Sequence, residues 1–511
     1  MQKWWLIGPG LGVALIAAGK LALQLHAGRR YGYFVDELYY LACARHLAWG
    51  YVDQPPLVAA IVRITQAALG DSLVALRFPA ALAGAGTAVI TGMIARELGG
   101  TRVAQSLAAL CVVLAPGVLT LDHFLSMNAF EPLFWMGCAY LVMRIMQTGN
   151  AKLWLCFGLL AGLGLDNKHS MLIFGCGLVS GLTLTRERKW LRSPWFWTGG
   201  AIALLIFLPN LLWNIQNHFP FLELQANIRR SGRDVALSPI AFLAQETLAM
   251  LPLSLPIWLA GLWYLFFDKE GERFRVLGWA WLVTAAVIMT LSPRIYYLFA
   301  AYPVLFAAGS VAWERWLSGV GARWIKRVYV TLMVLMATLI APTVIPLLAA
   351  ETYIRYAATI HLQQPSIENH RLGPLPQLFA DQFGWEEMTS AVAGAYNSLA
   401  PDVRARTAIF GQNYGQAGAI DLFGPKYGIP QGSAISGHQS YYLWGPHGYT
   451  GESMIVMDDR PERLAEIFTT FRKVARVSHP YSMPYEHFDV YYCEGMKQPL
   501  SKLWPQVKNW D

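Results

Sequence analysis

PAALAGAGTAVITGMIAR, residues 79–96, is an apolar run with no charge until its final arginine. As a helix it would extend about 27 Å at 1.5 Å per residue, close to the roughly 30 Å of hydrocarbon in a bilayer. A second apolar run, 103–120, follows Arg102, so a short basic turn joins the two. Outward from this pair the pattern recurs near 4–25, 128–146, 152–166, 170–185, 195–213, 243–267, 276–292, 296–313 and 328–350. The expectation is a polytopic α-helical membrane protein of about eleven spans, of which the one at 152–166 is short. The composition agrees: 55% of residues are hydrophobic and 14% charged, against about 25% charged in a soluble globular chain. The deficit falls on residues 1–350, which excludes a large soluble protein with buried helices. The first run has a basic residue at Lys3 and a small-residue exit at Ala27-Gly28, as signal peptides do. Its length and the interruption at Lys20 fit an uncleaved anchor better.

The net charge of +8 does not point to nucleic acid. The basic residues lie in short loops beside apolar runs, and no basic face carries interleaved aromatics. Arg96 and Arg102, Arg144 and Lys152, Arg186 to Arg192, Lys269 to Arg275, and Arg315 to Arg327 occupy alternate loops, which the positive-inside rule places in the cytoplasm. An odd number of spans with the N-terminus inside leaves residues 351–511 outside, periplasmic or extracellular, for a protein of a bacterial inner membrane. This tail reads as a soluble α/β domain. Trp385, Met388, Val392 and Tyr396 share one face of a helix over 384–398. Residues 406–410, 453–457 and 487–493 are strand-like, and Asp459-Arg460-Pro461-Glu462 opens a helix. Glycines 411, 415, 418 and 424 lack the register of a nucleotide-binding turn. Four cysteines lie in apolar runs; Cys43 and Cys493 fall outside them and are the candidates for a disulfide.

The loops of the other set carry the chemistry. The first, 26–78, contains YGYFVDELYYLACARHLAWGYVDQPPL at 31–57. Asp36 and Glu37 open an aromatic, amphipathic segment, 38–49, expected to lie along the membrane interface, and Asp53-Gln54-Pro55-Pro56 forces a turn. Two carboxylates in a first helical turn suit the helix dipole; a partly dehydrated one also suits a general base for an acceptor hydroxyl. The second loop, LDHFLSMNAFEPLFW at 121–135, puts Asn128 and Glu131 on one helix face. They are placed to hold a carrier, a metal or the catalytic loop, and equally to form a capping box. Arg77, Lys168 and Arg294 stand at outer ends of spans. A departing phosphate needs such cations, although each alone would also serve as a snorkelling anchor. His169 beside Lys168, and His123 with Glu131, lack tight metal-ligand spacing, so a divalent cation stays open.

These residues together resemble the protein O-mannosyltransferase-like glycosyltransferases, the GT-C membrane family that includes the aminoarabinose lipid A transferases. The resemblance covers roughly residues 30–320. It rests on Asp36-Glu37 with the aromatic segment and Asp53-Gln54-Pro55-Pro56-Leu57, on Arg77-Phe78-Pro79, Lys168, WNIQNHFPF at 213–221 and SPRIYYLFAAYP at 292–303. It implies a GT-C transmembrane domain over 1–350 and an inverting transfer from a polyprenyl-phosphate-linked sugar to an envelope acceptor on the outer face. Asp36 would activate the acceptor with Glu37 in support. Arg77 would contact the donor phosphate, helped by Arg294 ahead of the paired tyrosines, Tyr296 first. The chain has Asn128 where members often carry Asp, with Glu131 one turn on. A transporter of lipid-linked substrates would show inverted repeats with broken helices near the midplane, and no such pairing is present. A non-catalytic envelope scaffold is the other alternative.

Overall fold

The structure, a computed structural model, describes residues 10–232, 237–291, 294–319, 323–362, 371–458 and 460–511. Lys3, Ser292-Pro293 and Asp459 lie outside the described residues. The chain divides into two compact units. The first holds residues 1–30, 69–213 and 236–347; the second holds 31–68, 214–235 and 348–511.

The first unit is helical. Its helix Leu73–Glu97 begins at an N-cap, Ser72, whose hydroxyl accepts from Ala75 N at 3.2 Å. The apolar pattern starts this helix at Pro79; the cap starts it six residues earlier, so Arg77 is a full turn inside. The run 103–120 is two helices, Arg102–Leu114 and Pro116–Leu121, because Ala115 precedes a proline and is extended at ψ 115°. The run 243–267 also breaks. Helices Pro239–Ala249 and Pro252–Phe267 meet at 98°, with Leu251, again before a proline, at φ +71°. Where helices are straight they pack with backbones nearly touching. A methyl at Gly261 would overlap the Leu305 carbonyl, and one at Gly309 would overlap that of Ile257. Small residues at such crossings replace the hydrophobic driving force that lipid does not supply.

Among the described residues five helices are long and apolar enough to cross a membrane: Leu73–Glu97, Pro194–Gln216, Glu272–Leu291, Ile295–Trp316 and Trp324–Val344. The bent pair makes a sixth if it is one span. The expected count of about eleven also took in shorter apolar helices. Leu11–Ala27, Leu153–Asn167 and Met171–Thr183 have 17, 15 and 13 residues, the first at the lower end of the roughly 17–25 that span a bilayer and the other two below it.

The second unit is built on a five-stranded sheet. Its strands are β1 (Thr407–Gly411), β2 (Ala434–Ser436), β3 (Ser453–Asp458), β4 (Phe468–Val477) and β5 (Phe488–Met496), in the order β2-β1-β3-β5-β4. The β1 pairings are parallel; β3-β5 and β5-β4 are antiparallel. Helix Trp385–Asn397 forms where expected, with Trp385, Met388, Val392 and Tyr396 all buried. The first-loop helix Val35–Arg45 belongs to this unit. In the segment 38–49, expected along the membrane interface, every residue from Leu38 to Ala44 is at most 5% exposed, where helix Tyr414–Phe423 packs on it, while Leu47 and Trp49 are exposed. A Cβ on Gly418 would stand 2.9 Å from the Leu38 carbonyl oxygen. The candidate disulfide is absent: Cys43 and Cys493 are buried, free thiols.

Candidate functional site

Asp36 and Glu37 diverge in role although adjacent. Glu37 is fully buried, and its Oε2 accepts from the Phe34 backbone N–H at 2.9 Å. That is the work of a carboxylate at the third helical position, reaching back to satisfy an N-terminal amide. Asp36 is half-buried, and its Oδ1 accepts from the Tyr414 hydroxyl at 2.6 Å.

A second carboxylate completes this end of the unit. Asp53 receives a hydrogen bond from the Tyr39 hydroxyl at 3.0 Å. Burial, opposed by that bond and reinforced by the charge of Asp36, pushes the Asp53 carboxyl up to about 7. The sequence singles out Asp53 as part of a turn and of the motif that carries the family resemblance, with no role for its charge. The signal that would have found it is the aspartate ahead of two prolines, a rigid peptide facing an acidic helix start. The Tyr39 hydroxyl is also 2.7 Å from Ser440 Oγ, which accepts from Val52 N at 3.1 Å. Tyr39 and Tyr414 lie with ring centroids 4.9 Å apart.

In the first unit the structure brings together most of the other expected residues. Lys168 Nζ donates to Asn128 Oδ1 at 2.8 Å and to Glu131 Oε2 at 2.7 Å. The ammonium also lies 5.4 Å from the Tyr296 ring centroid and 4.6 Å from that of Tyr297, close enough for cation–π attraction. Arg294 reaches the Tyr296 hydroxyl at 3.4 Å. Glu131 is further held by the Ser170 hydroxyl. The capping expectation for Asn128 and Glu131 gives way to this lysine. Ser126 caps the helix instead, accepting from Asn128 N at 3.2 Å. Lys168 is therefore not a bare cation at a helix end; its charge is balanced by a buried carboxylate.

Arg77 is 2% exposed, and its guanidinium donates to the Gly28 carbonyl at 3.2 Å. Gly28 is the C-cap of helix Leu11–Ala27, so a cation here neutralises the negative end of that helix. Lys20, read as an interruption, forms a fully buried ion pair with Asp122 at 2.6 Å. Among the described residues no group of three or more His, Cys, Asp or Glu side chains is placed to hold a metal.

The family described as dolichyl-phosphate-mannose-protein mannosyltransferase matches residues 53–213. The lipid A galacturonosyltransferase RgtD of Rhizobium johnstonii is 25% identical over 298 residues, which cover 55% of this chain and 59% of that protein. The chain thus matches less than two thirds of that relative's length. ArnT from Cupriavidus metallidurans bound to undecaprenyl phosphate superposes with a TM-score of 0.59 at 16% identity, over 94% of this chain and 97% of the other. Its apo state gives 0.58 with the same coverage. At that identity the likeness is one of fold.

Proposed function

From the premise that this chain is a relative of the GT-C membrane glycosyltransferases, we propose that it moves a sugar from a polyprenyl-phosphate-linked donor to an envelope acceptor. The transfer takes place on the outer face and inverts the anomeric centre. The observation that carries this reading is Asp36, a half-buried carboxylate at a helix start whose Oδ1 is oriented by a tyrosine hydroxyl. An oriented, partly dehydrated carboxylate is what deprotonation of an acceptor hydroxyl requires. The oxygen then attacks the anomeric carbon, the bond to phosphate breaks, and the polyprenyl phosphate leaves with the electron pair.

The leaving phosphate needs a cation. Arg294, beside Tyr296, is assigned to it, with Lys168 at the same tyrosine. Lys168 is kept in position by Asn128 and Glu131. Glu37 supports Asp36 by fixing the turn from which it projects. Arg77, whose guanidinium also donates to the Gly28 carbonyl, is assigned to the same phosphate. The match to an undecaprenyl-phosphate-bound fold and the family's dolichyl-phosphate description support the lipid-phosphate donor.

The test is a pulse of radiolabelled polyprenyl-phosphate sugar given to membrane vesicles from parent and deletion strains. Label should pass into an envelope acceptor in the parent and stay on the lipid in the deletion strain. Equal labelling of the acceptor in both strains would overturn the proposal.

A further inference from the structure

We infer that Tyr414, contributed by the C-terminal tail, is a positioning residue for Asp36, so that the tail is a working part of the base and not an appendage. The inference rests on the reading of Asp36 as the base. Tyr414 and Asp36 are 378 residues apart, and the phenol donates to Oδ1 at 2.6 Å. A carboxylate with one oxygen occupied by a fixed donor presents its other oxygen in one direction, which is what orientation of a base amounts to.

Tyr414 is itself built in from several sides. It is the first residue of its helix, whose N-cap, Asn413, accepts from Gln416 N at 2.9 Å. Asn413 Nδ2 donates to Glu486 Oε1 at 2.8 Å, and Gln416 Nε2 to Glu486 Oε2 at 2.9 Å. The helix start is thereby tied to a buried carboxylate next to β5. The Tyr414 ring stacks on His438 at 4.8 Å, and His438 Nδ1 accepts from Tyr414 N at 3.2 Å. The Tyr414 ring also lies 4.9 Å from that of Tyr39, which is bonded to Asp53. A tyrosine needed only for packing would not require its hydroxyl to end on an acidic helix start.

The experiment compares Tyr414→Phe, Asp36→Asn and the parent protein, each purified full length, in transfer from a polyprenyl-phosphate sugar. Tyr414→Phe keeps the ring and both stacking partners and removes only the donor. It should lower kcat roughly 10- to 100-fold, the worth of a hydrogen bond to a charged group. KM for the donor and thermal stability should be unchanged. A kcat within twofold of the parent, with Asp36→Asn inactive, would overturn this inference and leave the base in place. Normal turnover in Asp36→Asn would overturn both. If Tyr414→Phe does not fold, 3,5-difluorotyrosine at position 414 keeps ring and hydroxyl but makes the phenol more acidic. Activity should then fall as pH rises through the fluorophenol's ionisation, since a phenolate cannot donate; a pH profile identical to the parent's would overturn the inference.

Discussion

At the scale of single residues, the buried pairs make the sharpest claims. Glu131 and Lys168 are 3% and 9% exposed at their side chains. Removing one partner of such a pair strands the other's charge, at a cost of about 3–5 kcal/mol. Lys168→Met should therefore destabilise strongly, and Lys168→Met with Glu131→Leu should recover much of the loss, as measured by thermal unfolding in detergent. Single and double variants of equal stability would show that the ion pair does not matter to folding. Asp53 makes a claim about pH. Its carboxyl ionises near 7 when folded against 3.8 ordinarily, so between those values the folded state holds a proton that the unfolded state has released. Stability due to this group is present below about pH 4 and is lost as pH rises towards 7. Asp53→Asn should accordingly gain on the parent in Tm as pH is raised from 4 to 7.5; a constant difference across that range would contradict the burial of the charge. Asp36, Lys168, Asn128, Glu131, Arg294 and Tyr296 all stand out in the sequence as candidates, because polar groups at the ends of apolar runs are conspicuous. What was not legible is which partner each one has. Glu37, expected in support of Asp36, also bonds a backbone amide. Lys168, expected at the donor phosphate, is also held by a glutamate. Asp53 looked like part of a turn and faces Asp36. The Lys168 contact joins residues 37 apart in the chain, whereas Glu37 bonds an amide only three residues back.

At the scale of elements, helix Leu11–Ala27 meets helix Leu73–Glu97 at Gly84. A methyl there would overlap the Asp122 carboxylate and stand 2.8 Å from Lys20 Cε. Gly84→Ala should thus push apart a buried ion pair and cost about 1–3 kcal/mol or more. Gly19→Ala, with nothing within 4 Å of its would-be methyl, should be neutral or mildly stabilising, because alanine favours a helix. Comparable melting temperatures for the two variants would contradict the close approach. Periodicity found helix Trp385–Asn397 and strands β1, β3 and β5, whose apolar residues are dense. It missed β4, FTTFRKVARV, whose exposed polar and basic residues come mostly in adjacent pairs rather than alternating, on an outer strand of the sheet, and β2, which has only three residues. Helix ends were misread where a cap outside the apolar run begins the helix, as Ser72 does, or where a proline divides it, as at Pro116 and Pro252.

At the scale of the whole molecule, the apolar runs told the class of the protein and left the count of spans to the geometry. Among the described residues five helices, or six with the bent pair, are long and apolar enough to cross a membrane, and the other expected runs fall on separate helices that are shorter or less apolar. The basic loops predict an outward-facing tail. Alkaline phosphatase fused after residue 350 should be active, and a fusion near residue 190 inactive; the reverse pattern would put the tail on the cytoplasmic side. The tail matters to the account because residues 31–68 are grouped with it in one compact unit, and that unit contains both Asp36 and the tyrosine that orients it. The most direct measurement is the rate at which purified protein in nanodiscs releases polyprenyl phosphate from a polyprenyl-phosphate sugar when an acceptor is present, in the parent and in Asp36→Asn. Loss of a general base lowers the rate by about 10²–10⁴-fold, and the account predicts a fall of that order with unchanged thermal stability. Release at the parental rate by Asp36→Asn would contradict it.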